Sequence, residues 1–147
     1  MSDHLRLGNA YCRSVLSLLS AQRPLDLRDA SEVLLQNRAL KQANSRHFLH
    51  VFPKAYVRGK PGAEEVNSVA NIALIPADLN LRIGAKAPSA YLAAYRSGNP
   101  EWDRTLNAHV ITDAARNAMG EDDLLAFIDH RATMLAELAQ KVVRMPD

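Results

Sequence analysis

Apolar positions in this chain follow two rhythms, helical towards both ends and strand-like in the middle. Cys12, Val15, Leu16 and Leu19 fall at i, i+3, i+4 and i+7, a stripe for one helix face that stops before Pro24. The same spacing predicts a second helix from about Asp29 to Gln42, with Val33, Leu34 and Leu40 turned inward. Pro88 suits a first helical position, Tyr91, Leu92 and Tyr95 form a face behind it, and Gly98 closes that helix. Thr112 reads as the cap of a short helix from Asp113 to Met119, which Gly120 ends. The last helix has the clearest period, with Leu124, Ile128, Leu135, Leu138 and Val142 following the acidic turn Glu121-Asp122-Asp123.

The middle reads otherwise. Phe48-Leu49-His50-Val51-Phe52 is a short apolar run stopped by Pro53, and Asn71-Ile72-Ala73-Leu74-Ile75 is another stopped by Pro76. Both have the length and composition of strands. A loop with Gly59, Pro61 and Gly62 separates them, and a helical segment from Ala77 to Ile83 follows the second. Strand, loop, strand, helix is the order of a ββα unit, and an ordinary hairpin has the same order. The expected fold is therefore mainly α with a small antiparallel β-hairpin. One domain spans 1–147, with a ββα core at about 45–84 inside a helical scaffold of 9–44 and 88–143.

Composition bounds the possibilities. The chain has 147 residues, enough for one self-sufficient core, with 48% apolar and 23% charged residues as in ordinary globular domains. A single Cys12 excludes an internal disulfide and fits a reducing compartment. No apolar run nears the roughly 20 residues of a membrane span, and MSDHLRLGNAYC contains no signal-peptide apolar region. The expectation is a cytoplasmic protein without a membrane partner. Charge adds a direction. Residues 1–60 carry ten Lys/Arg against four Asp/Glu, whereas residues 61–147 carry eight against twelve. No acid lies between Val33 and Ala63, where Arg38, Lys41, Arg46, Lys54, Arg58 and Lys60 all fall. Such a stretch suits a polyanion, gaining affinity by counterion release, and it suits a solvated basic loop equally well.

The middle segment carries a family resemblance. His50-Val51-Phe52-Pro53-Lys54-Ala55, then Asn67-Ser68-Val69-Ala70-Asn71-Ile72-Ala73-Leu74-Ile75, then Asn80, then Lys86-Ala87-Pro88-Ser89-Ala90-Tyr91-Leu92 form an ordered set. That set resembles the HNH (ββα-metal) nuclease region of GmrSD-type restriction endonucleases. Leu16 to Asp26 upstream, and His109-Val110-Ile111 and Phe127-Ile128-Asp129-His130-Arg131 downstream, are similar to further landmarks of that family. The resemblance covers about residues 10–143. It implies a metal-dependent endonuclease hydrolysing DNA phosphodiester bonds, in restriction or phage defence, with a nucleotide-binding domain or subunit as partner. The alternative is a catalytically inactive HNH-like domain that binds nucleic acid or a partner protein.

Phosphodiester hydrolysis needs a base to activate water and a cation to stabilise charge on the phosphate and leaving oxygen. By resemblance, His50 is the general base, Asn71 holds the hairpin and orients that base, and Asn80 is a metal ligand. Asn71 and Asn80 have the family's eight intervening residues. An imidazole near its ordinary pKa of about 6.5 can accept a proton at cellular pH. An Asn carbonyl is a hard oxygen, suited to Mg²⁺ or Mn²⁺. Arg46, Lys54, Arg58 and Lys60 are the expected nucleic-acid contacts. One position departs from the family: Leu49 stands where its members place a second metal ligand, Asp, Glu or His. His47 and His109 are the imidazoles that stand in as candidates. Simpler readings compete at each position. His50 suits a hydrogen-bonded core histidine, Asn80 a helix-end residue, His109 a packing residue, His130 a solvent-facing one, and Trp102 and the tyrosines core.

Overall fold

The computed structural model describes residues 10–34 and 47–144. It is mostly helical, with a two-stranded antiparallel sheet. Helix α1 (Ala10–Ala21) buries Cys12, Val15, Leu16 and Leu19, the stripe its sequence predicts. Among the described residues, the expected second helix is absent. Asp29 to Leu34 belong to a tight reversal in which Leu25 bridges Glu32, Asp26 N–H donates to Ser31 O and Val33 N–H donates to Pro24 O. Two short acids explain the difference. Asp26 accepts from Arg28 N–H at 2.8 Å, and Asp29 accepts from both the N–H and the hydroxyl of Ser31. These side chains offer the backbone local partners that a helix would have to break. Val33 is buried as expected but Leu34 is 83% exposed. Leu40 and the rest of that predicted helix lie outside the described residues.

Strand β1 (Phe48–His50) pairs with β2 (Ile72–Leu74), setting Phe48 against Leu74, Leu49 against Ala73 and His50 against Ile72. Both strands are shorter than their apolar runs. Beyond His50 the chain bends towards Pro53, and the Asn71 side chain replaces the ladder there. A one-turn helix α2 (Lys54–Val57) follows, unforeseen because its four residues are too few to show a period. Glycines with positive φ, Gly59 and Gly62, turn the loop back towards β2. Gly62 also lies against Leu125, where a Cβ would come within 2.8 Å of that side chain. Helix α3 (Ala77–Ile83) follows β2 over the span its sequence predicts.

Alternation along the hairpin divides the core in two. Leu49, Val51, Ala73 and Ile75 join α3 through Leu79 and Ile83, together with Tyr91, Leu106, Ile111 and Phe127. Phe48, Ile72 and Leu74 join α1 and Leu135 on the opposite side. A hairpin covered on both faces explains why its runs are continuously apolar rather than alternating. The remaining helices are α4 (Pro88–Arg96), α5 (Trp102–Ala108), α6 (Asp113–Gly120) and α7 (Leu124–Arg144). Helix α5 was not anticipated, since only Thr105 and Leu106 of its seven residues are buried. Thr112 sits at the N-cap of α6 but makes no side-chain cap bond. Along α7, Leu124 and Leu135 are buried, while Val142 is 52% exposed near the helix end. No helix among the described residues is long and apolar enough to cross a membrane.

Two polar residues tie the layers together. Arg131 on α7 is fully buried and donates to Ala70 O at 2.8 Å, Ile72 O at 2.6 Å and His109 O at 2.9 Å. Burial lowers its pKa to about 10, so it stays charged at neutral pH. His109 is also buried, and its Nε2 lies 2.6 Å from Leu25 O. A carbonyl only accepts, so the proton is on Nε2. Next to the His109 carbonyl that Arg131 meets, Val110 adopts φ 58, a left-handed conformation that costs a β-branched residue roughly 1–2 kcal/mol.

Burial pushes the His109 pKa down to about 4, against the opposing pull of the Leu25 carbonyl. A lowered imidazole pKa means that the folded state holds the neutral ring. The corresponding stability is complete above about pH 6.5 and drains as pH falls towards 4. Between pH 7.5 and 5 this residue should remove about 2 kcal/mol of folding stability. His109→Gln, whose amide can still donate to Leu25 O, should show a correspondingly shallower pH dependence in urea unfolding. Parallel pH profiles for the two proteins would refute the assignment.

Candidate functional site

His50 ends β1 on the face it shares with Phe48, half-buried beside Ile72. Its Nε2 lies 3.0 Å from Oδ1 of Asn67. Burial lowers its pKa below the ordinary imidazole value; the Asn67 bond opposes that shift and the Lys54 charge reinforces it. The ring is thus neutral at neutral pH and holds a lone pair, as a proton acceptor must.

Asn71 is 0% exposed, and all of its polar capacity goes to backbone. Oδ1 accepts from Phe52 N–H at 2.9 Å, while Nδ2 donates to Phe52 O at 3.2 Å and to Val66 O at 2.9 Å. Its own carbonyl accepts from Val51 N–H at 2.8 Å. Holding the hairpin is therefore its direct action. The bond to the His50 ring comes from Asn67, while the Asn71 side chain bonds Phe52, two residues after His50, and Val66, just before Asn67. Asn67 opens the second segment of the motif, four residues before Asn71, but the motif reading gave it no role of its own.

The other candidates lie at the opposite end of β1. Asn80, half-buried on α3, donates Nδ2–H to Phe48 O at 3.1 Å. His47 is joined to the start of the hairpin by Nδ1–H to Ile75 O at 3.1 Å and by Ile75 N–H to its own carbonyl. Phe48 and His50 are two residues apart, roughly 7 Å along a strand. The structure thus brings His47 and Asn80 to one end of β1 and His50 with Asn67 to the other. Arg28 anchors α3 from below, donating to Asp26 at 2.7 Å and to Asp78 at 2.7 Å.

Leu49 is 3% exposed and packs into the apolar core with Leu79 and Ile83. His109 lies within that interior, bonded to Leu25, and does not join His50. His130 is exposed on α7, as expected. Tyr91 is core but not inert: its hydroxyl donates to Val51 O at 2.6 Å, next to His50. Lys54 and Arg58 are exposed, and Lys60 lies 4.7 Å from the Tyr56 ring centre. Arg46 lies outside the described residues.

Asn80 and His47 offer an amide oxygen and an imidazole nitrogen, donor types that suit a divalent cation. Both are engaged with backbone, Asn80 through Nδ2 to Phe48 O and His47 through Nδ1 to Ile75 O. Among the described residues no group of three or more His, Cys, Asp or Glu could hold a metal ion. No protein-family model, curated protein or solved structure matches this chain.

Asn71→Ala should destabilise the protein by roughly 3 kcal/mol, because it leaves the Phe52 N–H and two buried carbonyls without a partner. Denaturant unfolding measures the loss. A cost under about 0.5 kcal/mol would mean that these bonds do not hold the hairpin.

Proposed function

We propose that the chain is an HNH-type (ββα-metal) domain, related to the nuclease region of GmrSD-type restriction endonucleases, that hydrolyses DNA phosphodiester bonds. One observation carries the reading: a neutral, half-buried imidazole, His50, is fixed by Asn67 beside the exposed cations of the acid-free stretch. In this reading His50 takes a proton from the attacking water. Lys54, Arg58 and Lys60, with Arg46, attract and seat the phosphate backbone. Asn71 and Tyr91 hold the Val51 and Phe52 backbone so that the imidazole does not shift relative to the seated phosphate. Asn80 and His47 would hold Mg²⁺ or Mn²⁺, which when bound supplies charge stabilisation to the phosphate. Restriction or phage defence, in the cytoplasm and with a nucleotide-binding domain or subunit, is the setting this relationship suggests.

Leu49 favours a second reading, a catalytically inactive domain that binds nucleic acid or a partner protein. Its side chain lies in apolar packing where the family places a cation ligand, so Mg²⁺ has no protein carboxylate to hold it.

Plasmid nicking separates the two. The parent should nick supercoiled DNA slowly and only with Mg²⁺ or Mn²⁺. His50→Ala should abolish nicking, because removal of a general base typically costs 10²–10⁴-fold or about that. Lys54, Arg58 and Lys60 replaced together by Ala should weaken it on all sequences alike. Cleavage that survives His50→Ala would refute the base. DNA binding without any nicking would establish the second reading.

A further inference from the structure

The segment that presents Asn67 is held on both sides. Before it, the Val66 carbonyl accepts from Asn71 Nδ2 at 2.9 Å, and Val66 N–H donates to Ala63 O. After it, buried Ser68 donates its N–H to Glu65 O, while its hydroxyl accepts from Ala70 N–H at 3.2 Å. Arg131 then grips the carbonyls of Ala70 and Ile72, the residues on either side of Asn71. A loop amide is rarely so constrained. From this segment the Asn67 side chain reaches across to the His50 ring on the neighbouring strand.

An imidazole that is neutral has one protonated nitrogen and one basic nitrogen, and the partner of the first decides which is which. The Asn67 carbonyl oxygen, 3.0 Å from Nε2, can only accept. We infer that Asn67 is the positioning residue of this site, holding the His50 proton on Nε2 so that Nδ1 is the atom that accepts a proton from water. The role of Nδ1 rests on the proposed hydrolysis; the proton location does not. Water gives one proton to Nδ1, the ring becomes an imidazolium with both nitrogens protonated, and the hydroxide oxygen bonds to phosphorus as the P–O bond to the leaving nucleoside oxygen breaks. The new positive charge stays hydrogen-bonded to Asn67 through Nε2. Lys54 bears on this ring and disfavours the imidazolium, so Nδ1 returns its proton to solvent water, and the leaving oxygen takes a proton from water on its own side of the phosphorus.

Long-range ¹H–¹⁵N correlation spectra of the ¹⁵N-labelled protein at pH 7.5 read the ring directly, with His50→Gln identifying its signals. The expected result is a pyrrole-type Nε2 carrying an observable, slowly exchanging proton, and a pyridine-type Nδ1. Asn67→Asp should preserve both features, because its carboxylate accepts the same bond. Asn67→Ala should lose the Nε2 proton signal to solvent exchange, while amide signals outside the hairpin and its loop stay in place. In nicking assays Asn67→Ala should lower the rate at least roughly tenfold with DNA affinity unchanged, and Asn67→Asp should restore most of it. A pyridine-type Nε2 in the parent overturns the inference, and that spectrum decides even if Asn67→Ala fails to fold. An Nε2 proton equally protected in a folded Asn67→Ala overturns it too. The expected spectra without any nicking would leave Asn67's hold on the ring intact and sink the proposed hydrolysis instead.

Discussion

Arg131 leaves water entirely, and its guanidinium is met by three backbone carbonyls, those of Ala70, Ile72 and His109. A buried charge is tolerated only when its donors are satisfied, and removing those acceptors would leave it uncompensated in an apolar interior. The longest helix, the second strand and the corner after α5 must therefore occupy fixed relative positions. The strained backbone of Val110 adjoins the His109 carbonyl that meets the guanidinium. The neutral, buried imidazole of His109 extends the same constraint to the Leu25 carbonyl and the reversal beyond it.

Two of the carbonyls held by Arg131 flank Asn71, so the constraint passes into the hairpin. Asn71 spends its amide on the residues that follow His50 and precede Asn67, and Asn67 in turn bonds the His50 ring. An apolar core thereby sets the position of a polar group at its edge. Precision of this kind is what general-base chemistry needs, because a proton acceptor is useful only when held within hydrogen-bond reach of its water. It serves a binding surface equally well, since a fixed imidazole beside Lys54 presents a defined contact for phosphate.

Features with long periods were legible in the sequence. The stripe of α1, the position of α3, the faces of α4 and α7, and the location of both strands follow from spacing and proline placement. Features decided by a few polar atoms were not. Asp26 and Asp29 hold residues 29–34 out of the helix expected there by bonding neighbouring N–H groups, a competition that apolar spacing does not record. Burial of Arg131 ran against its residue type, and its acceptors are distant in sequence. In the candidate site, His50 and Asn71 could be named from the motif. The bond between Asn67 and the His50 ring could not, since it depends on which way a loop amide points. Leu49 looked like a missing ligand; in the fold it is also a well-packed core residue.

On the proposed function, a DNA phosphate backbone sits against the His50 edge of the hairpin. Backbone amide spectra of the ¹⁵N-labelled protein, titrated with a short DNA duplex at low and high salt, test it most directly. The expected shifts concentrate at His50, Lys54, Arg58, Lys60 and Asn67 and weaken steeply as salt rises. Shifts confined to α1 and the end of α7, or none at low salt, would contradict it.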